Sequence, residues 1–251
     1  MSHVTILTGA SRGIGAAIAK YILTANSSTK LVAVARSAGK LEDLVSEYGA
    51  DRVVAVTGDV TDPETVTKAV SAAIDNFGQL DAVIANAGVL DPVSPVVDAK
   101  TDLWANLYAV NLFAVVELIK QSIPELRKTG GKILTVSSAA SVMTFDGWAA
   151  YGSSKAALNH LVMSVAEEEK GKVSAISIAP GIVDTGMQVD IREKFGANMK
   201  PEAIKQFNDL HSEGQLLPAS VPAAVYGRLA LNGWSDEVNG KYFDYDDEKL
   251  A

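Results

Sequence analysis

The stretch that decides the fold is T-G-A-S-R-G-I-G at residues 8–15, which directly follows the apolar run at residues 4–8. An apolar-periodic segment at residues 14–25 comes next and predicts a helix. A strand, a glycine-rich turn and a helix in this order are typical of the place where a doubly wound α/β sheet binds a dinucleotide. Glycines permit the turn and the close approach of backbone to pyrophosphate, whose charge the helix N-terminus favours. The loop residues expected to contact the cofactor are Gly9, Ser11, Arg12, Gly13, Ile14 and Gly15.

The same alternation continues along most of the chain. Runs rich in Val, Ile and Ala predict buried parallel strands at residues 4–8, 31–35, 53–57, 82–85, 132–137 and 173–179, with an edge strand at 241–243. Helix-like segments lie between them at residues 14–25, 63–77, 103–128, 156–169 and 219–231. We therefore expect one Rossmann-type domain over residues 1–251, a doubly wound parallel sheet with helices on both faces. Residues 186–217 fit this alternation poorly and are predicted to form a substrate lid.

Composition excludes several classes of function. The net charge of −8, from 22 basic and 30 acidic residues, would repel a nucleic-acid backbone over most of the surface. The chain has no cysteine and three scattered histidines, so no metal is expected. No stretch was expected to reach transmembrane length, and no secretion signal is evident at the N-terminus. A cytoplasmic protein that acts on a small molecule, without a membrane or nucleic-acid partner, is the default expectation.

The end of the second predicted strand indicates which dinucleotide binds. An NAD site usually has an acid there, about 20 residues beyond the glycine loop, for the ribose hydroxyls. This chain has Ala35 followed by Arg36. Arg36, together with Arg12 of the loop, could hold a 2′-phosphate with charge-assisted hydrogen bonds, which favours NADP(H). The alternative is that both arginines are only solvated surface charges.

Further motifs follow in a fixed order, and with the glycine loop they make the chain resemble the short-chain dehydrogenase/reductase family over nearly its whole length. They are Asp59-Val60, Asn86-Ala87-Gly88, Asn111, Ser138, Tyr151-x-x-x-Lys155, and Pro180-Gly181 followed by Ile182 and Thr185. The resemblance implies a catalytic set of Asn111, Ser138, Tyr151 and Lys155. It also implies cofactor contacts for the remaining motif residues, with Asp59 at the adenine and Ile182 and Thr185 at the nicotinamide. Asn111 could instead satisfy backbone groups at a helix kink, and Pro180-Gly181 could be a simple turn.

The Tyr151 and Lys155 pair can be interpreted from its chemistry as well. Reduction of a carbonyl requires a proton donor to the developing alkoxide, and Tyr151 can be that donor. A free tyrosine has a pKa of about 10, and a nearby positive charge is expected to lower this pKa because it favours the phenolate. Lys155, four residues later on the same helix face, can provide that charge. The resemblance adds that Ser138 holds the substrate carbonyl and that Asn111 orders a water connected to the lysine.

The final third of the chain has the run Asp184-Thr185-Gly186-Met187-Gln188, a charged helix with Leu216-Leu217 after Gly214, and the ending Gly240-Lys241-Tyr242-Phe243-Asp244. With these segments it resembles sepiapterin reductases and benzil reductases. We therefore expect NADPH-dependent reduction of ketones, with vicinal dicarbonyls such as benzil as substrates. Sepiapterin reduction, with Asp247 or its neighbours Asp244 and Asp246 as the pterin anchor, and a non-catalytic NADPH sensor are the alternatives. The expected substrate wall consists of Val142, Phe145, Trp148 and Met187. A homodimer through the helices at residues 103–128 and 156–169 is also expected.

Overall fold

The computed structural model describes residues 2–250 and contains a seven-stranded sheet in which all neighbours pair in parallel. The strands are β1 (His3–Thr8), β2 (Thr29–Ala35), β3 (Val53–Thr57), β4 (Ala82–Ala85), β5 (Lys132–Val136), β6 (Ser174–Ala179) and β7 (Tyr242–Asp244). Their order across the sheet is β3-β2-β1-β4-β5-β6-β7. The chain thus winds outward from β1 in one direction and from β4 in the other. This is the predicted doubly wound Rossmann-type fold, and the prediction is confirmed.

Nine α-helices in the described residues connect the strands or follow them. They are α1 (Gly13–Ala25), α2 (Ala38–Tyr48), α3 (Pro63–Phe77), α4 (Thr101–Tyr108), α5 (Ala114–Thr129), α6 (Ala149–Glu168), α7 (Gly186–Asp190), α8 (Pro201–Ser212) and α9 (Ser220–Asn232). Successive strand residues point to opposite faces, so Ile6 packs into the layer of α3, α5 and α6, whereas Leu7 packs against α1 and α9. Both faces of the sheet are therefore covered, which explains the continuous apolar runs of its strands.

Two helices differ from the prediction in ways that matter for the site. The helix expected at residues 156–169 begins at Ala149, so Tyr151 and Lys155 lie in its first two turns. The single helix expected at residues 103–128 is interrupted by a π-helical turn, Ala109–Phe113, between α4 and α5. Asn111 lies inside that turn and is fully buried. Such turns are often found at functional sites.

The helical run Thr101–Thr129 corrects one expectation from the sequence. By length and hydropathy it could cross a membrane, whereas no stretch of that length was expected. Val115, Leu118 and Ile119 on this run pack into the core beside the sheet. Length and composition are weak evidence here, because a core helix passes the same test.

Residues 186–217, the predicted lid, form α7, a π-helical turn, a short 3₁₀ turn and α8. The two ends of the segment are joined. The Asp184 amide donates to the Leu217 carbonyl at 2.8 Å, and the Leu217 amide donates to the Ile182 carbonyl at 2.9 Å. Between these ends the segment packs over the end of α6 through Ile191, Phe195 and Phe207. Its role as a lid stays a prediction.

Candidate active site

The glycine loop between β1 and α1 is a tightly closed turn. Gly9 and Gly13 have φ of 70° and 55°, a region that favours glycine. Gly15 lies so close to the loop that an added Cβ would be 2.1 Å from the Gly9 carbonyl oxygen. No side chain fits at these positions, so backbone and the helix N-terminus are left free to approach a pyrophosphate. This geometry fits a bound dinucleotide.

Asn86, which follows β4, holds this loop in place. Its side-chain amide donates to the Thr8 carbonyl at 2.8 Å and to the Gly9 carbonyl at 3.2 Å. The Thr8 hydroxyl in turn accepts the backbone amides of Asn86 and Ala87, each at 3.1 Å. The side chain predicted to contact the adenosine therefore also fixes the turn on the neighbouring strand.

The two arginines predicted to hold a 2′-phosphate lie at different parts of the site. Arg36 follows β2, is largely exposed, and has its guanidinium 3.9 Å from the Asp59 carboxylate. The pKa of Asp59 is lowered, chiefly by the hydrogen bond from the Thr61 amide at 3.0 Å. Arg12 precedes α1, and its guanidinium lies 4.0 Å from where a Cβ on Gly186 would be. In this arrangement Arg12 reaches toward α7, so Arg36 is the better placed of the two at the end of β2.

The loop after β6 completes the cofactor side of the cleft. Thr185 lies beside the glycine loop, with its methyl carbon 3.3 Å from where a Cβ on Gly13 would be. Gly181 has a φ of 78° and is enclosed by the side chains of Leu217 and Tyr245, 2.8 and 2.9 Å from its Cβ position. Pro180 and Ile182 flank it on the same segment. Thr185, one of the two predicted nicotinamide residues, and the glycine loop therefore meet in space.

Tyr151 and Lys155 are both buried on one face of α6. The Lys155 ammonium donates to the Val136 carbonyl at 2.7 Å and lies 5.7 Å from the centre of the Tyr151 ring. Burial lowers the pKa of Lys155 to about 8. Burial also raises the pKa of Tyr151 to about 12, and the Ser138 side chain acts in the opposite direction. The expectation that Lys155 lowers the pKa of Tyr151 is not met, because burial raises that pKa and Ser138 is the group that opposes the burial.

Asn111 connects the π-helical turn to the segment after β4. Its carbonyl oxygen accepts the Val89 amide at 2.9 Å, and its amide donates to the Val89 carbonyl at 2.8 Å and to the Ser154 hydroxyl at 3.2 Å. The segment after β4 also lies close to Lys155. The Cβ position of Gly88 is 3.4 Å from the Asn111 carbonyl oxygen and 3.5 Å from the Lys155 ammonium. Asn111 therefore satisfies backbone groups and also lies near the lysine.

Ser138 begins a short 3₁₀ turn, Ala139–Ser141, just after β5. Its hydroxyl accepts the Ala140 amide at 3.2 Å. Asn159 on α6 fixes this turn from behind, because it accepts from the Ser137 hydroxyl at 2.6 Å and donates to the Ser141 hydroxyl at 2.8 Å. Asn159 was not among the predicted site residues, although its position four residues after Lys155 places it on the same helix face.

An aromatic cluster made of Phe145, Trp148 and Phe207 packs beside Tyr151. The Trp148 ring stacks on Phe145 at 4.9 Å and on Phe207 at 5.5 Å, and meets the Tyr151 ring edge-on at 5.7 Å between centres. Met187 packs on the same group of residues. Phe207, which lies on α8 of the predicted lid, was missed in the sequence.

The other predicted substrate residues lie outside this cluster. Val142 is 67% exposed, so it does not belong to the buried wall around Tyr151. The Asp247 carboxylate accepts the Lys249 amide at 2.9 Å and caps the last turn of the chain. The Asp244 carboxylate accepts the Tyr242 hydroxyl at 2.9 Å. Both acids thus have local partners, and a pterin-anchoring role for Asp247 stays a prediction.

A glycine cradle at the switch point of a doubly wound sheet, with a buried tyrosine and lysine and a partly buried serine beside it, defines an oxidoreductase of the dinucleotide-dependent class. A family model described as short chain dehydrogenase matches residues 3–196. The chain belongs to this family, as the order of its motifs predicted.

Two relatives and one solved structure are similar to this chain over nearly its full length. The chain is 47% identical over 252 residues to an uncharacterized oxidoreductase, YIR035C, of Saccharomyces cerevisiae, covering 100% of this chain and 98% of the relative. It is 42% identical over 259 residues to the benzil reductase ((S)-benzoin forming) IRC24 of the same yeast, with coverage of 100% and 98%. The solved structure of the KRED1-Pglu enzyme is 51% identical, with a TM-score of 0.93 over 96% of this chain and 100% of that chain.

Proposed function

We propose that this protein is an NADPH-dependent ketone reductase whose substrates are vicinal dicarbonyls such as benzil. The observation that carries the proposal is the buried Tyr151, with the Ser138 side chain acting on its hydroxyl and the Trp148 ring against its own ring. A proton donor, a hydroxyl for the carbonyl oxygen and an aromatic wall are thus adjacent. Together they suit the reduction of a carbonyl that has an apolar substituent.

The residues of the site would divide the chemistry as follows. When bound, the reduced nicotinamide supplies the hydride. Tyr151 is protonated at neutral pH because burial raises its pKa to about 12, so it can give its proton to the oxygen of the reacting carbonyl. The Ser138 hydroxyl can donate a hydrogen bond to that oxygen and stabilise the charge that develops on it.

Lys155 is suited to replace the proton that Tyr151 loses. Its pKa is lowered to about 8, close to neutral pH, so it can exchange protons readily. The side-chain oxygen of Asn111 and the Lys155 ammonium both lie beside Gly88, 3.4 and 3.5 Å from its Cβ position. We propose that Asn111 orders a water that links Lys155 to solvent, as the family resemblance implies.

The choice of NADPH rests on Arg36. The residue lies at the end of β2, where an NAD site usually has an acid, and its guanidinium is exposed and able to bind a phosphate. The nearby Asp59 has its own partners in Thr61, so Arg36 is not needed to neutralise it. Arg12 would join Arg36 at the phosphate only if its side chain turned away from α7.

The dicarbonyl class rests on two supports. One is the benzil reductase IRC24, which is 42% identical to this chain over nearly the full length of both proteins. The other is the aromatic cluster beside Tyr151, which is suited to stack on an aryl substituent. An adjacent carbonyl withdraws electron density and lowers the barrier to hydride transfer, so activated ketones suit a general oxyanion site.

The test is steady-state oxidation of NADPH with benzil, diacetyl and sepiapterin. We expect high kcat/KM for benzil in wild type, no change in Asp247→Asn, and loss of nearly all turnover in Tyr151→Phe. Tyr48→Phe, which lies on α2 away from the site, is the matched control. A loss confined to sepiapterin in Asp247→Asn would favour the pterin reductase, and inactivity of wild type on all three would overturn the proposed substrate class.

Retention of most of the kcat by Tyr151→Phe would exclude Tyr151 as the proton donor. Inactivity of wild type toward every ketone tried, with NADPH bound, would favour the non-catalytic sensor. The cytoplasmic location and the homodimer stay predictions.

A further inference from the structure

The indole nitrogen of Trp148 is buried and has no hydrogen-bond partner among residues 2–250. Only 7% of the residue is exposed, so an acceptor, whether a water or a substrate oxygen, can reach the nitrogen only where the side chains around it move apart. Leaving such a donor unsatisfied costs about 1–3 kcal/mol, and most buried donors therefore have an acceptor. A tryptophan needed only for packing could be replaced by phenylalanine without this cost.

The position of the Trp148 ring is fixed. The residue is the N-cap of α6, and the Gly152 amide donates to its carbonyl at 2.7 Å, so its backbone is tied to the helix that carries Tyr151. Stacking on Phe145 at 4.9 Å and on Phe207 at 5.5 Å holds the indole from two sides. The ring cannot turn to find an acceptor elsewhere without breaking both contacts.

The surroundings point to a substrate as the missing acceptor. Trp148 lies three residues before Tyr151, and their rings meet edge-on at 5.7 Å between centres. The ring of the proton donor and the ring that carries the unpaired N–H are thus neighbours. A substrate that has a second oxygen next to the reacting carbonyl could satisfy both donors at once.

We propose that the Trp148 indole N–H donates a hydrogen bond to the second carbonyl oxygen of a vicinal dicarbonyl, while Tyr151 protonates the oxygen of the first. This inference rests on the proposed function and identifies the residue that recognises the dicarbonyl. The two carbonyl carbons are bonded directly to each other, so their oxygens are close enough together for two neighbouring side chains to donate one hydrogen bond to each. A ketone with one carbonyl would leave the indole unpaired, so Trp148 would favour dicarbonyls by a binding interaction as well as by their reactivity.

The experiment removes the hydrogen bond in two ways, by taking away the acceptor in the substrate and by taking away the donor in the protein. Benzil is compared with benzyl phenyl ketone, which has the same two rings and a methylene in place of the second carbonyl. Wild type is compared with Trp148→Phe, which keeps an aromatic ring and lacks the N–H. We expect kcat/KM for benzil to fall about fivefold to tenfold in Trp148→Phe, the size of one neutral hydrogen bond, and that for benzyl phenyl ketone to stay within about twofold.

Phe145→Leu is the matched control, because it disturbs the same cluster without removing an N–H group. It should change kcat/KM for both ketones by the same factor. Equal losses for the two ketones in Trp148→Phe, or no loss for either, would overturn the proposal. Inactivity of wild type toward both ketones would count against the proposed function instead.

A second measurement does not depend on the folding of Trp148→Phe. The chain has three tryptophans, so ¹⁵N-labelled wild type should give three indole N–H signals, and Trp104→Phe and Trp234→Phe identify the one from Trp148. Addition of benzil to the enzyme with NADP⁺ should shift that signal downfield, as expected when an N–H donates to a carbonyl. A signal that stays in place at a saturating benzil concentration would contradict the proposal.

Discussion

Replacement of Gly15 by alanine tests the closest contact in the cofactor loop. Gly15 lies in the first turn of α1, beneath the turn that begins at Gly9. The added Cβ would lie 2.1 Å from the Gly9 carbonyl oxygen and 2.6 Å from the Asn86 side-chain nitrogen. The first distance is more than 1 Å below ordinary van der Waals contact, so the backbone of the loop must shift.

The size of the effect follows from what holds the loop. The Gly9 carbonyl accepts the Asn86 amide at 3.2 Å, and the Gly9 amide donates to the Val34 carbonyl at 2.8 Å. A shift of the loop would weaken these bonds, and overpacking of this kind costs about 1–3 kcal/mol of stability. It would also misplace the amides that meet the pyrophosphate. A hydrogen bond to a charged group contributes about 1.5–3 kcal/mol, so the Kd for NADPH should rise at least about tenfold.

The assay is calorimetric titration of NADPH together with urea unfolding. Gly39→Ala is the matched control, because Gly39 lies in α2 and its added Cβ would meet no atom of the described part of the chain within 4 Å. The control should gain about 0.5–1 kcal/mol in the free energy of unfolding and keep its Kd for NADPH. An unchanged Kd in Gly15→Ala would refute the view that this loop holds the dinucleotide.

Three further perturbations test other parts of the site. Arg36→Asp should lower the ratio of kcat/KM for NADPH to kcat/KM for NADH at least about tenfold, which corresponds to about 1.4 kcal/mol. An unchanged ratio would show that Arg36 does not bind the phosphate. Burial lowers the pKa of Lys155 from 10.5 to about 8, so the unfolded chain binds this proton more tightly than the folded chain does. The free energy of unfolding should therefore fall by at most about 3 kcal/mol as the pH drops from 10.5 to 8. Urea unfolding at both pH values should show this loss in wild type, and the same loss in Lys155→Met would assign it to another group. Asn159→Ala should release the Ser138 turn and lower kcat for benzil about tenfold, while the Kd for NADPH stays within about twofold. A variant with the same kcat as wild type would exclude Asn159 as a positioning residue.

Local patterns in the sequence determined the family, the sheet and the catalytic helix face. A run of apolar residues predicts a buried strand wherever it occurs, and the spacing of Tyr151 and Lys155 places them on one face of any helix. The positive φ of Gly9 and Gly13 likewise follows from residue type and turn position. These features depend on neighbours within a few residues, so they could be predicted without knowledge of the tertiary structure.

The tertiary structure alone decided which groups surround the catalytic residues and how they titrate. Phe207 stacks on Trp148 from α8 of the predicted lid, and Asn86 closes the loop at Gly9 from another strand. The burial that moves the pKa of Tyr151 up and that of Lys155 down is likewise the result of several elements that pack together. Contacts between residues far apart in the chain have no fixed sequence spacing. Burial and pKa depend on these contacts, and for this reason the sequence could predict the chemistry of Tyr151 and Lys155 but not the environment that tunes it.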